Sequence, residues 1–130
     1  MLRGEPLMLS ARQTPLYEIK ANLFKALAHP LRIRILEILV AAPEYTCGVG
    51  DLLAETGLEA SHLSQHLATL RRYGVVRSTR TANTVSYSIA HPKVAELLRI
   101  AREFLLDNLA DSEAQLELAK ELPDLIEHAR

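Results

Sequence analysis

The sequence predicts a mainly α-helical domain with one β-hairpin, and three observations predict it. The chain has 130 residues, 48% of them hydrophobic and 24% charged, which is typical of a single globular domain. Apolar residues recur at helical spacing along most of the chain and alternate along one short stretch. The single cysteine excludes an intrachain disulfide, so the fold must depend on a hydrophobic core.

The helical pattern starts at Tyr17. We expect residues 1–16 to form a flexible arm. The first helix ends near His29-Pro30, because the residue before a proline avoids the helical conformation. Pro30 suits the first turn of a second helix, which has a wide apolar face and stops at Ala42-Pro43.

The next two helices lie on either side of a glycine. Residues 46–50 are expected to be a connector, and a short helix follows from Asp51 to Glu55. Gly57 suits the end of this helix. The following helix runs from about Ala60 to Tyr73. Its apolar stripe consists of Leu63, Leu67 and Leu70.

A change of period marks the hairpin. Residues 75–81 and 85–89 read as two strands joined by a turn at Ala82-Asn83. The last helix starts at His91-Pro92 and is expected to continue to about Leu122. The predicted domain therefore covers residues 17–122, with a tail at 123–130.

This order of elements matches a winged helix-turn-helix with the pattern α-α-α-α-β-β-α. The net charge of −1 hides a strong segregation of charge. Residues 60–95 carry five basic residues and no acidic one, whereas residues 96–130 carry four basic and nine acidic residues. A basic stretch in a neutral protein is typical of a nucleic-acid surface, although a chance cluster on a solvated face is the alternative.

The helix after the turn presents small and amide side chains, which can donate to phosphates and base edges of double-stranded DNA. Arginines follow at its end and near the hairpin tip. The expected DNA-binding residues are Ser61, His62, Ser64, Gln65, His66, Arg71, Arg72, Arg77 and Arg80. For His66 the alternative is packing against the neighbouring helix. Arg71 and Arg72 could instead cap their own helix.

Three motifs, at residues 24–36, 49–52 and 64–76, stand in a fixed order and spacing. They read FKALAHPLRIRIL, VGDL and SQHLATLRRYGVV. They resemble the signature of the ArsR/SmtB family over roughly residues 17–110. The resemblance implies that this chain is a dimeric bacterial transcription repressor. Many members of that family release DNA when they bind a metal or another inducer.

The last helix carries a longer apolar stripe than one domain of this size is expected to cover. We therefore predict a homodimer that pairs through the first and last helices. The expected interface residues are Leu23, Phe24, Val94, Leu98, Ala101, Leu105 and Leu109.

The ligand positions of the metal-sensing relatives are not intact in this chain. Gly48 and Gly50 stand where those relatives have a Cys-x-Cys pair. Lys93 and Phe104 stand at two ligand positions of their last-helix site. We therefore expect no metal, no cofactor and DNA binding that does not depend on divalent ions. The alternative is an unfamiliar metal site drawn from His91, Asp107, Asp111 and His128.

Cys47 is either a thiol sensor or a buried, unreactive cysteine, since a dithiol sensor needs two thiols per chain. The inducer, whether a small molecule or a metal, is not identified. No phosphate-binding loop, paired-carboxylate motif or nucleophile motif points to an enzyme. A module that only binds a partner protein is a second alternative, which the acid-free stretch disfavours. No apolar run is long enough for a membrane span, so we expect a cytoplasmic protein.

Overall fold

The computed structural model describes residues 14–109 and 117–122. That part of the chain contains five α-helices, a short helical segment at residues 117–119 and three strands. The mainly α-helical fold with a β-hairpin is confirmed. A single 3₁₀ turn, Pro43–Tyr45, follows the second helix. The elements in chain order are α1 (Thr14–Leu27), α2 (Pro30–Ala41), β1 (Thr46–Gly48), α3 (Val49–Thr56), α4 (Ala60–Arg72), β2 (Val76–Thr81), β3 (Thr84–Ile89) and α5 (Pro92–Leu109).

The ends of the domain differ from the prediction. Helix α1 is described from Thr14, so residues 14–16 of the predicted arm are helical. Helix α5 is described as far as Leu109, and residues 117–119 are helical. Nη2 of Arg102 donates to the carbonyl of Leu122 (3.3 Å), whereas a single straight helix would separate these two residues by about 30 Å, so the predicted single helix through Leu122 is wrong. Residues 120–122 form a turn instead, because Pro123 disfavours a helical conformation at the preceding residue. Residues 1–13, 110–116 and 123–130 lie outside the described part of the chain.

Strand β1 is not among the predicted elements. Residues 46–48 of the predicted connector pair with β3 as an edge strand, and Cys47 stands opposite Tyr87. Strands β2 and β3 form the predicted hairpin, and the antiparallel sheet has the order β1-β3-β2. Strand β3 is therefore paired on both sides, and β1 joins the hairpin to the rest of the domain.

The core is centred on α2, whose residues Ile35, Leu36, Leu39 and Val40 have no exposed surface. The predicted stripe of α4 packs into the same cluster, together with Leu52 of α3. Fully burying one such side chain stabilises a fold by roughly 1.5–3 kcal/mol. This cluster fixes α4 to the domain along one side and leaves the opposite side of the helix exposed.

Two helices begin with the same His-Pro pair. The Nδ1 atom of His29 accepts a hydrogen bond from the backbone N–H of Leu31 (3.1 Å), one of the orphan donors at the start of α2. The Nδ1 atom of His91 accepts one from Lys93 N–H (3.0 Å) at the start of α5. Within the described ranges, no helix combines the length and the hydropathy that crossing a membrane requires.

Candidate nucleic-acid interface

Helix α4 separates an apolar side from a polar one. Its three leucines, Leu63, Leu67 and Leu70, are at most 2% exposed. The exposed side carries Ser61, His62, Ser64 and Gln65. These four residues supply hydroxyl, amide and imidazole groups, which bind phosphates and base edges. The arrangement agrees with the predicted role of this face.

The turn that joins α3 to α4 is held by several hydrogen bonds. Gly57 adopts a left-handed conformation (φ 69°), and its N–H donates to the carbonyl of Leu53 (2.9 Å). The hydroxyl of Thr56 donates to the Leu52 carbonyl (2.7 Å) and accepts from the N–H of Leu58 (3.3 Å). This network fixes the angle at which α4 leaves α3.

The two arginines at the end of α4 have partners within the protein. Nη1 of Arg71 donates to the hydroxyl of Ser78 on β2 (3.1 Å), and this bond links the helix to the hairpin. The guanidinium of Arg72 lies over the ring of Tyr73, 5.0 Å from its centroid. Both side chains remain exposed, so each can also reach a phosphate.

The two arginines of the hairpin lie on opposite faces of the sheet. Arg80 pairs with Val85, one step from the turn, as expected for a residue near the tip. Arg77 pairs with Ser88 near the root of the hairpin, so its predicted place near the tip is wrong. Because side chains alternate along a strand, Arg80 shares the face of Ser78 and Arg77 takes the other face.

His66 lies apart from the exposed polar face. It is half-buried, and its ring centroid is 4.5 Å from that of His29 at the junction of α1 and α2. Its Nδ1 lies 3.5 Å from Nη1 of Arg32. Of the two roles that the sequence left open, the geometry favours packing against the neighbouring helices.

A cleft of about 720 Å³ adjoins Cys47, and Glu37 and Arg34 of α2 are among its lining residues. Burial raises the pKa of the Cys47 thiol, and the negative charges of Asp51 and Glu55 raise it further. Because the thiolate is the reactive form, these surroundings slow modification of the sulfur. This direction is the one expected of an unreactive cysteine, but Cys47 is half-buried and not fully buried as that alternative requires.

Residues 14–109 and 117–122 contain no group of three His, Cys, Asp or Glu side chains that could hold a metal ion. Of the alternative metal site, His91 uses its Nδ1 to cap α5, and Asp107 is exposed on the same helix. Asp111 and His128 lie outside the described residues.

Comparison with known proteins identifies the family. The family model for "Bacterial regulatory protein, arsR family" matches residues 29–78. An HTH-type transcriptional regulator of Mycobacterium tuberculosis is 55% identical over 104 residues, which are 79% of this chain and 89% of that protein. The chain belongs to the ArsR family. It is therefore a winged helix-turn-helix transcription regulator and not an enzyme.

Solved structures agree with this assignment to the ArsR family. The crystal structure of the same M. tuberculosis protein matches with a TM-score of 0.68 at 54% identity and covers 75% of this chain and 95% of that one. A homodimeric winged helix-turn-helix DNA-binding domain from Mycobacterium bovis matches with a TM-score of 0.72 at 27% identity, covering 81% and 94%. A biofilm growth-associated repressor of Xylella fastidiosa is 36% identical over 78 residues, 60% of this chain and 66% of that protein.

The structure adds residues that the sequence analysis did not assign to the site. Arg32 and His29 contact His66 of α4, and Ser78 holds Arg71. All of them stand within or beside the motifs that carry the family resemblance. These contacts could not be predicted from sequence spacing. Each of them joins two elements that meet only in the tertiary fold.

Proposed function

We propose that this ArsR-family protein is a homodimeric repressor that binds double-stranded DNA at an inverted-repeat operator in the bacterial cytoplasm. One observation carries the proposal. The exposed face of α4 has hydroxyl, amide and imidazole groups without a carboxylate, and it lies beside a hairpin that bears two arginines. A helix of this kind fits the major groove, where Gln65 can pair with adenine in bidentate fashion.

The remaining contacts of the proposal go to the DNA backbone. Arg77 and Arg80, on opposite faces of the wing, would bind phosphates on its two sides. Arg71 and Arg72 would bind phosphates at the end of α4. Such contacts orient the protein without reading sequence, and they make binding strongly dependent on salt.

The dimer is supported by apolar surface that the protomer leaves exposed on two helices. Tyr17, Ile19 and Phe24 of α1 are between 51% and 64% exposed. Ile100, Phe104 and Leu105 of α5 are between 45% and 61% exposed. Large apolar side chains at this exposure are typical of a protein interface. The homodimeric assembly of the M. bovis relative supports the same assembly here.

The predicted interface list needs one correction. Leu98 is 6% exposed and packs in the core of its own protomer, because it lies on the side of α5 that faces the core. Leu23 and Val94 are partly buried against the same core. Phe24, Ala101 and Leu105 are exposed as an interface requires, and Leu109 is half-buried. We therefore centre the proposed interface on Phe24, Phe104 and Leu105.

The proposal is tested by selecting tight-binding duplexes from a random pool. We expect a two-fold symmetric consensus with half-sites about one helical turn apart, or a multiple of it, and two protomers per duplex. An asymmetric consensus bound by one protomer would contradict the dimeric model. Equal affinity for selected and random duplexes would contradict sequence-specific binding.

The inducer is not identified by any observation on the chain. We propose that DNA binding needs no metal ion, since Gly48, Gly50, Lys93 and Phe104 cannot supply the side-chain ligands of a tetrahedral site. Calorimetry with Zn²⁺, Ni²⁺ and Co²⁺ tests this. A submicromolar site, together with DNA affinity that falls about tenfold, would overturn it.

A further inference from the structure

His66 lies where three helices meet. The C-terminus of α1, the N-terminus of α2 and the middle of α4 converge on its half-buried imidazole. The neighbouring Gln65 is exposed. A change in the environment of His66 therefore acts on the same turn of helix that we expect to read the DNA bases.

Arg32 connects His66 to the end of α1. Its Nε donates to the carbonyl of Ala26 (2.6 Å) and its Nη2 to that of Lys25 (3.3 Å). Both carbonyls belong to the last turn of α1, where helix carbonyls lack partners within the helix. The remaining nitrogen, Nη1, lies 3.5 Å from Nδ1 of His66. One guanidinium thus caps α1 and faces the recognition helix.

The tautomer that this geometry favours is the one with an unprotonated Nδ1 on His66. Arg32 can only donate, so the atom 3.5 Å from it must accept for the contact to be favourable. His29 is constrained in the same way, because its Nδ1 accepts the N–H of Leu31. A second proton on either ring would place a cation against Arg32 or remove the cap of α2.

The surroundings of His66 oppose its protonation. Burial lowers the pKa of His66 below its ordinary value. His29 and Arg32 from the α1–α2 junction lower it further, as does His62 from its own helix. A histidine with a lowered pKa in the folded state contributes stability above its unfolded pKa, and that contribution is lost as the pH falls below about 6.5.

We propose that His66 is a positioning residue that ties the orientation of the recognition helix to the α1–α2 junction through Arg32 and His29, and that its protonation weakens binding to the operator. This inference rests on the proposed function. Helix α1 also carries part of the proposed dimer interface. The junction therefore links the orientation of α4 to the element that sets the spacing of the two recognition helices.

The first test measures affinity for a duplex selected by the wild-type protein, at several values between about pH 7.5 and about pH 5.5, the range in which histidine titrates. The variants are His66→Gln, which keeps an acceptor for Arg32 but cannot take up a proton, and the control His91→Gln, at an exposed histidine outside α4 and the α1–α2 junction. For the wild type we expect affinity to fall about tenfold, within the range in which one site commonly changes the affinity of another. His91→Gln should retain the fall and His66→Gln should lose it.

Two outcomes separate this inference from the proposed function. A wild-type protein that selects no duplex at any pH contradicts the proposed function. A protein that binds specifically, but whose His66→Gln variant has the pH profile of the wild type, overturns the positioning role alone.

A second measurement does not depend on DNA or on the folding of the His66 variant. The Cε1 proton of His66 is followed by NMR during a pH titration of the full chain and of Arg32→Gln. We expect the pKa of His66 to rise in the variant, because a cation facing the imidazole has been removed. An unchanged pKa would show that Arg32 does not act on His66 and would overturn the inference.

Discussion

Two alanine substitutions at the ends of α3 test the geometry of the helix-turn-helix. Gly57 follows α3 with φ +69°, and Gly50 lies in its first turn at ordinary helical φ. An added Cβ would meet no atom within 4 Å at either position. The two substitutions therefore differ in backbone conformation and not in steric clash.

The expected magnitudes follow from this difference. A left-handed conformation costs an alanine roughly 1–2 kcal/mol, and the reduced freedom of the unfolded chain returns about 0.4–1 kcal/mol. Gly57→Ala should therefore lower the free energy of unfolding by about 1 kcal/mol. Gly50→Ala should raise it by up to about 1 kcal/mol, because alanine is the better helix former.

Urea denaturation followed by circular dichroism measures both effects at one fixed protein concentration, since dimerisation makes stability depend on concentration. With a slope of about 2 kcal/mol/M, the two midpoints should move about 0.5 M in opposite directions. If Gly57→Ala were as stable as Gly50→Ala, the turn would not require a left-handed residue and the assigned angle between α3 and α4 would be wrong.

Four further predictions concern the DNA-binding residues, the dimer interface and the Cys47 thiol. Gln65→Ala should weaken binding to a selected duplex by roughly 1–3 kcal/mol and change the affinity for random DNA little, as measured by fluorescence anisotropy. Arg80→Ala should weaken both alike and reduce the salt slope by about 1, and a loss confined to the selected duplex would contradict a phosphate contact. Phe104→Glu should give a folded monomer in sedimentation at a concentration where the wild type is a dimer, because it places a charge in the apolar contact; an unchanged dimer would exclude this face. Cys47 should react with iodoacetamide more slowly in the native protein than in urea at the same pH, because the fold raises the pKa of its thiol. An equal rate would show that burial and the carboxylates of Asp51 and Glu55 do not affect the reactivity of the thiol.

The sequence predicted the elements whose pattern is local. The leucines of α4 repeat at helical spacing and are buried as expected, and Gly57 ends α3 where a left-handed residue is needed. The polar face of α4 followed from the same periodicity. Its four exposed residues could be named because the opposite side of the helix was identified as core.

The features that the sequence did not predict depend on tertiary contacts. Strand β1 is three residues long and exists because β3 lies beside it, so no alternation could identify it. Apolar residues lie on more than one side of α5, so the sequence does not show which side faces the core. The tertiary packing shows that Leu98 lies on that side. His66 has a polar side chain and a helical neighbourhood like that of Gln65, and its burial depends on the approach of α1 and α2.

The asymmetric support of the hairpin has a mechanical consequence. Strand β1 pairs with Ser86–Ser88 of β3, so this part of β3 is hydrogen-bonded on both edges, whereas Thr84 and Val85 pair on one edge with β2. We therefore expect the root to be stiffer than the tip, which carries Arg80. In the proposed complex Arg80 binds a phosphate, and the distance between phosphates across the minor groove varies with base sequence. The tip can follow that variation while the position of α4 stays unchanged. Changes in the DNA sequence that flanks each half-site should therefore reduce the affinity less than changes within the half-site.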